Sequence, residues 1–166
     1  LGYDIPFIQL EEGSGPRHMV LDKDCRNLYV INELNSTVSV FDITTKAPVL
    51  KQTLSTLSEG YAEKSYCADI HLSPSGKYLY GSNRGHNSIV TFSVAGNGLL
   101  TLERNVSCGG DWPRNFALDG SGKYLIVGNQ RSGLISLFTI ERKGGAINEQ
   151  GHSIPFNAPA CIKFLE

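Results

Sequence analysis

Three segments of this chain carry the same layout of residues, and that internal repetition restricts the fold more than any other feature. Anchored on the Asn that ends a second apolar run, Leu28-Tyr29-Val30-Ile31-Asn32 falls over Leu79-Tyr80-Gly81-Ser82-Asn83 and over Leu125-Ile126-Val127-Gly128-Asn129. Pro16-Arg17 then aligns with Cys67-Ala68 and Pro113-Arg114, and the residue after each anchor is Glu33, Arg84 or Gln130. Repeats of roughly 40 to 50 residues built from short strands are the pattern of β-propeller blades. Function is therefore sought where equivalent positions differ between repeats.

Each repeat is expected to fold into four strands. The first supplies Arg17–Leu21, Asn27–Asn32, Thr37–Asp42 and Val49–Leu54; the second Asp69–Leu72, Tyr78–Ser82, Ser88–Val94 and Leu99–Arg104; the third Asn115–Leu118, Tyr124–Gly128, Leu134–Ile140 and Ala146–Gly151. Thr37-Val38-Ser39-Val40-Phe41 shows the period of two of a half-buried strand, and Ser73-Pro74-Ser75-Gly76 and Asp119-Gly120-Ser121-Gly122 supply turn chemistry. Ser55–Tyr66 is the longest connection and the place for a functional excursion. Ile5–Leu10 has the character of an outermost strand of an earlier blade, and Ala160–Leu165 aligns with the innermost strand of a further one. The fold class is thus all-β: a partial propeller of three four-stranded blades, spanning about residues 15–58, 67–107 and 112–151, with an additional inner strand over 159–165. Closed propellers have about four to eight blades, so a longer chain, further copies or another polypeptide is expected to complete the ring.

Composition narrows the function classes. Hydrophobic residues at 40%, charged residues at 19% and a net charge of -1 give no bias toward nucleic acid or anionic membrane, and neither is expected as a partner. The N-terminus lacks the basic and apolar regions of a secretory signal. Cys25, Cys67, Cys108 and Cys161 have no disulfide-framework or CxxC spacing, so reduced thiols and a cytoplasmic location are expected. Asn35-Ser36-Thr37 and Asn105-Val106-Ser107 match the glycosylation sequon and are read as ordinary turn sequence. His18, His71, His86 and His152 lack zinc-site spacing, and no carboxylate cluster of calcium type occurs; no metal and no cofactor is expected.

Arg17, Glu33, Arg84 and Arg114 fall at equivalent places around the expected channel, on the inner strand or just after the second strand. Arg84 takes the position that Glu33 holds in the preceding repeat, so the two are neighbours around the axis with opposite charge. Arginine also grips carboxylate or phosphate oxygens through a fork that lysine does not have.

Gly15-Pro16-Arg17-His18-Met19-Val20, Val30-Ile31-Asn32-Glu33-Leu34-Asn35-Ser36-Thr37-Val38, Ala68-Asp69-Ile70-His71-Leu72-Ser73-Pro74-Ser75-Gly76, Leu79-Tyr80-Gly81-Ser82-Asn83-Arg84 and Pro113-Arg114-Asn115-Phe116 follow in order. In this combination the chain resembles the lactonase family of seven-bladed propellers, which includes propeller-type 6-phosphogluconolactonases and fungal 3-carboxy-cis,cis-muconate lactonizing enzymes. The resemblance is to the C-terminal half of that family. It implies a ligand site built from Arg17, Glu33 and Arg84, a small anionic lactone as substrate, and an additional histidine from an earlier blade that this chain does not contain. The expected function is that of a 6-phosphogluconolactonase-like hydrolase. A muconolactone cycloisomerase and a non-catalytic binding propeller are the alternatives.

Lactone hydrolysis requires a base for water and cationic donors for an anionic substrate and a developing oxyanion. Glu33 is the candidate base or water-positioning group, and ion pairing to Arg17 or Arg84 is the other use of its carboxylate. Arg17 and Arg84 are candidate clamps for phosphate or carboxylate. His18, Asp69 and Arg114 are candidate substrate contacts. Alternation is expected to turn His18 away from Arg17, and Asp69 shares a strand face with His71, where anchoring of strands is its other use. Asn32, Asn83 and Asn129 recur in all repeats and are assigned a structural turn role.

Overall fold

The computed structural model describes residues 7–165, which contain twelve β-strands and no helix. They form three four-stranded antiparallel sheets. The first blade is β1 (Pro16–Leu21), β2 (Asn27–Asn32), β3 (Thr37–Asp42) and β4 (Val49–Ser55); the second is β5 (Tyr66–Leu72), β6 (Tyr78–Arg84), β7 (Ser88–Val94) and β8 (Leu100–Ser107). The third is β9 (Pro113–Leu118), β10 (Tyr124–Asn129), β11 (Leu134–Ile140) and β12 (Ile147–Pro155). Strands pair in sequence order, and β5 lies against β1 on one side and β9 on the other, which makes these three the inner strands.

One turn is repeated in every blade between its first two strands. Asp22, Ser73 and Asp119 stand at equivalent positions, and each side chain accepts the backbone N–H five residues on, at Asn27 (3.1 Å), Tyr78 (3.1 Å) and Tyr124 (2.7 Å). The third residue after each cap is left-handed: Gly76 (φ 69) and Gly122 (φ 67) take that conformation without a Cβ penalty, whereas Cys25 (φ 51) takes it with a side chain.

Alternation along the strands fills the seams between blades. Tyr29, Ile31, Val38 and Val40 of blade 1 pack against Leu79, Val90 and Phe92 of blade 2. The opposite face of blade 2 sends Tyr80 and Ile89 into a second cluster with Phe116, Leu125, Val127 and Phe138. Each seam carries one equivalent polar tie: the Tyr29 hydroxyl donates to Gly98 O (3.1 Å), and that of Tyr80 to Gly145 O (3.0 Å). Blade 3 has Ile126 at this place.

The structure modifies three expectations at the edges. The strand expected over Ile5–Leu10 lies partly outside the described residues; over 7–10 there is no strand, and Ile8 and Leu10 pack on the outward face of blade 1 against Leu28, Val30 and Phe41. Ala160–Leu165 has no strand pairing, because an inner strand needs a second strand of its own blade as partner. It nevertheless stands against β9 as β9 stands against β5: Ile162 N–H donates to Asn115 Oδ1 (2.5 Å), as the equivalent Phe116 N–H donates to Asp69 Oδ2 (3.2 Å). The 56–65 connection is irregular and tied down, with Thr56 and Asn83 exchanging hydrogen bonds and the Tyr61 and His86 rings in edge contact at 4.4 Å.

Candidate active site

A β-bulge in each inner strand shapes the site. The ladder between β1 and β2 shifts between Pro16 and His18, that between β5 and β6 between Cys67 and Ile70, and that between β9 and β10 opposite Pro113 and Asn115. The residues at these shifts are Arg17, Ala68-Asp69 and Arg114. A bulge re-aims side chains that a regular strand would place on opposite faces. Strict alternation therefore fails for His18: Arg17 Nη1 lies 3.2 Å from His18 Nε2, and the two form one unit.

Glu33 sits just beyond β2, where its backbone is fixed by Glu33 N–H donating to Gly15 O (2.7 Å) and Cys67 N–H donating to Glu33 O (3.2 Å). Its carboxylate lies between two guanidinium groups. Arg84 Nη2 is 2.5 Å from Oε1 and Arg17 Nε is 3.6 Å from Oε2. Arg84 is buried and also donates to Tyr66 O (3.3 Å) and Cys67 O (2.8 Å). Arg17 donates to Ala68 O (2.6 Å). Burial lowers the Arg17 pKa, Arg84 adds to the lowering, and Glu33 opposes it. Arg114 also lowers it, and its side chain makes no hydrogen bond or ion pair with any described residue. Arg17 and Arg84 thus share the Glu33 carboxylate, and Arg114, close enough to Arg17 to repel its charge, is left without an ion pair among the described residues.

Asp69 is the hub of a second network on the same inner strands. It is 3% exposed, with His18 Nδ1 at 2.7 Å from Oδ1 and His71 Nε2 at 3.1 Å from Oδ2. Asn115 Nδ2 donates to Oδ2 (2.5 Å), and the backbone N–H groups of Ile70 and Phe116 also donate to this carboxylate. Burial pushes its pKa up, but the hydrogen bonds and charge from His71, then His18 and Phe116 N–H, outweigh burial and hold it at about 2. Asp69 is accordingly an ionised anchor, and the anchoring use of this side chain is the one the geometry displays. A concavity of about 570 Å³ continues along the channel from His71 and Asn115 past Ala117 and Leu118 to Ile162 and Phe164.

The structure brings Arg17, His18, Glu33, Asp69, Arg84 and Arg114 to one region, on the inner strands, at the end of β6 and in the loop following β2. Asn32, Asn83 and Asn129 lie behind it and are structural: each buried amide donates within its own blade, to Ser39, Ser88 and Ser136 respectively. Two features were not anticipated from sequence. Asn115 belongs to the hub, and the signal was available, since His18, Asp69 and Asn115 are equivalent in the three repeats. Trp112, the sole tryptophan, has φ 67, and its ring lies beneath Arg131 (3.3 Å from guanidinium carbon to ring centroid) and beside Arg84 (5.4 Å). No spacing rule pairs Trp112 with Arg84, because the contact crosses a seam.

This architecture has counterparts among known proteins. The family described as lactonase, 7-bladed beta-propeller, matches over residues 3–164. The chain belongs to that family. A protein from Lactobacillus plantarum is similar in structure with a TM-score of 0.91 and 31% identity, over 96% of this chain and 47% of its own. A candidate 6-phosphogluconolactonase from Bacteroides fragilis gives 0.88 and 34%, over 96% and 44%. The periplasmic gluconolactonase of Pseudomonas aeruginosa gives 0.91 and 30%, over 96% and 45%. The chain thus spans less than half the length of these relatives.

Proposed function

We propose that this chain is the C-terminal portion of a lactonase-family propeller that hydrolyses an anionic sugar lactone of the 6-phosphogluconolactone type. The observation that carries the reading is that Arg17 and Arg84, from adjacent blades, share the carboxylate of Glu33, while Arg114 of the third blade lies close enough to Arg17 to repel its charge and its side chain makes no hydrogen bond or ion pair among the described residues. A surplus of guanidinium groups suits a ligand that brings its own negative charge, such as a phosphate or carboxylate. The same cations stabilise the oxyanion that forms when water attacks the lactone carbonyl. Glu33 orients Arg17 and Arg84 and retains lone pairs, on a side chain one-third exposed, with which to position water. The relatives described as gluconolactonase or candidate 6-phosphogluconolactonase support this substrate class.

Further blades complete the ring in this reading, supplied by an N-terminal extension, a second copy or another polypeptide. The test is lactone hydrolysis by the chain alone and by its fusion to the N-terminal blades of the Bacteroides fragilis relative, with 6-phosphogluconolactone, gluconolactone and a carboxymuconolactone. Preference for the phosphorylated sugar lactone supports the reading. Turnover of muconolactone alone replaces it with the cycloisomerase chemistry, and turnover of none removes it.

A further inference from the structure

We infer that His18, held by Asp69, is the proton-accepting group of this site, and that Glu33 positions the arginines; this rests on the lactone-hydrolysis reading above. Two hydrogen bonds define the His18 ring. Nε2 lies 3.2 Å from Arg17 Nη1, which only donates, so Nε2 carries the lone pair. Nδ1 therefore carries the proton and donates to Asp69 Oδ1 at 2.7 Å. A buried carboxylate on one ring nitrogen and an acceptor lone pair on the other is the arrangement that fixes the tautomer of a histidine base and stabilises the imidazolium it becomes.

The surroundings suit this role. Asp69 is held in place by the N–H groups of Ile70 and Phe116 and by Asn115, so it does not follow the ring. His18 keeps 43% of its side chain exposed, whereas the Asp69 side chain is 4% exposed, so the ring reaches solvent and the anchor does not. Glu33 is less suited to accept a proton, because one oxygen faces Arg84 at 2.5 Å and the other Arg17 at 3.6 Å. The charged and titratable groups linked to His18 are Arg17 on β1 and Asp69 on β5 directly, His71 on β5 through Asp69, and Glu33 after β2, Arg84 on β6 and Arg114 on β9 through Arg17.

When an anionic lactone draws Arg17 toward its own charge, the Nε2 lone pair is released to a water. That water gives a proton to Nε2 as its oxygen bonds to the lactone carbonyl carbon, and the carbonyl becomes an oxyanion held by guanidinium N–H groups. Collapse reforms the carbonyl and breaks the bond to the ring oxygen, which takes the proton back from His18. The acid product then releases one proton to solvent, which leaves a hydroxy-carboxylate and a neutral imidazole.

His18→Asn is the test, because the Asn amide can still donate to Asp69 while the basic ring nitrogen is lost. In the fusion protein, kcat on 6-phosphogluconolactone is expected to fall by about 100-fold or more, KM to change less than threefold, and the acid limb of the pH–rate profile to vanish. Glu33→Gln is expected to retain that limb. In the chain as it stands, ring 15N shifts of His18 are expected to show Nδ1 protonated. A His18→Asn kcat within threefold of the parent with the limb intact, or a ring protonated at Nε2, overturns the role of His18 and leaves the lactonase reading standing. A parent that hydrolyses no lactone removes both.

Discussion

Arg84 Nη2 meets Glu33 Oε1 at 2.5 Å although the two residues occupy the same position in consecutive repeats. Identical blades would have set like charges side by side at this seam; the opposite charges join blades 1 and 2 where their loops meet the channel. Truncation at Glu33 leaves a buried guanidinium facing no carboxylate on that side. Glu33→Ala is expected to lower stability by about 1.5–3 kcal/mol, the range for a hydrogen bond to a charged group, and Glu33→Gln by less because its amide oxygen still accepts. Urea midpoints that agree for parent and Glu33→Ala would show that the pair contributes nothing.

Acid should weaken the fold through Asp69. Its folded-state pKa is depressed from 3.8 to about 2, so the unfolded chain takes up a proton at a higher pH than the folded one does. The stabilisation is present above about pH 4 and is lost as pH falls through 2, and it corresponds to about 2 kcal/mol. Asp69→Asn is expected to be less stable than the parent at pH 7 and to show a smaller loss between pH 5 and 2. Parallel stability curves for parent and variant over that range would contradict the assignment.

The paired tyrosine ties give an independent test of the seams. Tyr29→Phe and Tyr80→Phe each remove a buried hydroxyl from a carbonyl of the next blade. Each is expected to cost about 1 kcal/mol, and the double variant the sum of the two, since the ties lie in different seams. Denaturant midpoints of the three variants check this, and a double variant no weaker than either single one would show that the seams are not independent.

Sequence repetition carried most of the fold because each blade repeats the same caps and the same apolar alternation. Asn27–Asn32, Thr37–Asp42, Ser88–Val94 and Leu134–Ile140 are strands with the bounds expected from pattern alone. Strands β5, β8, β9 and β12 differ at their ends, where bulges and hydrogen bonds between neighbours, rather than local periodicity, decide where pairing stops. The Glu33–Arg84 contact was legible for the same reason as the strands: equivalent positions in adjacent blades are neighbours. The Arg17–His18 contact was not, because a bulge overrides alternation and leaves no mark in a run such as Pro16-Arg17-His18.

The blade flanks predict association. Met19 and Leu21 on β1, and Ile154 and Phe156 at the end of blade 3, are each between 46% and 65% exposed. Apolar surface of this kind drives assembly, so the chain by itself is expected to sediment as a dimer or larger species. A concentration-independent monomer would contradict this, and Ile154→Lys is expected to shift any association toward monomer.

The central claim is that arginines on adjacent blades select a negatively charged lactone. The most direct test is steady-state kinetics of the ring-completed fusion with 6-phosphogluconolactone and uncharged gluconolactone, in the parent, Arg84→Lys and Arg114→Ala. The account predicts a parent that favours the charged substrate. Loss of the Arg84 fork should weaken transition-state binding of that substrate by about 1.5–3 kcal/mol, and Arg114→Ala should raise its KM while leaving the neutral lactone unaffected. Equal kcat/KM for both lactones in the parent, or equal losses on both in the variants, would contradict it.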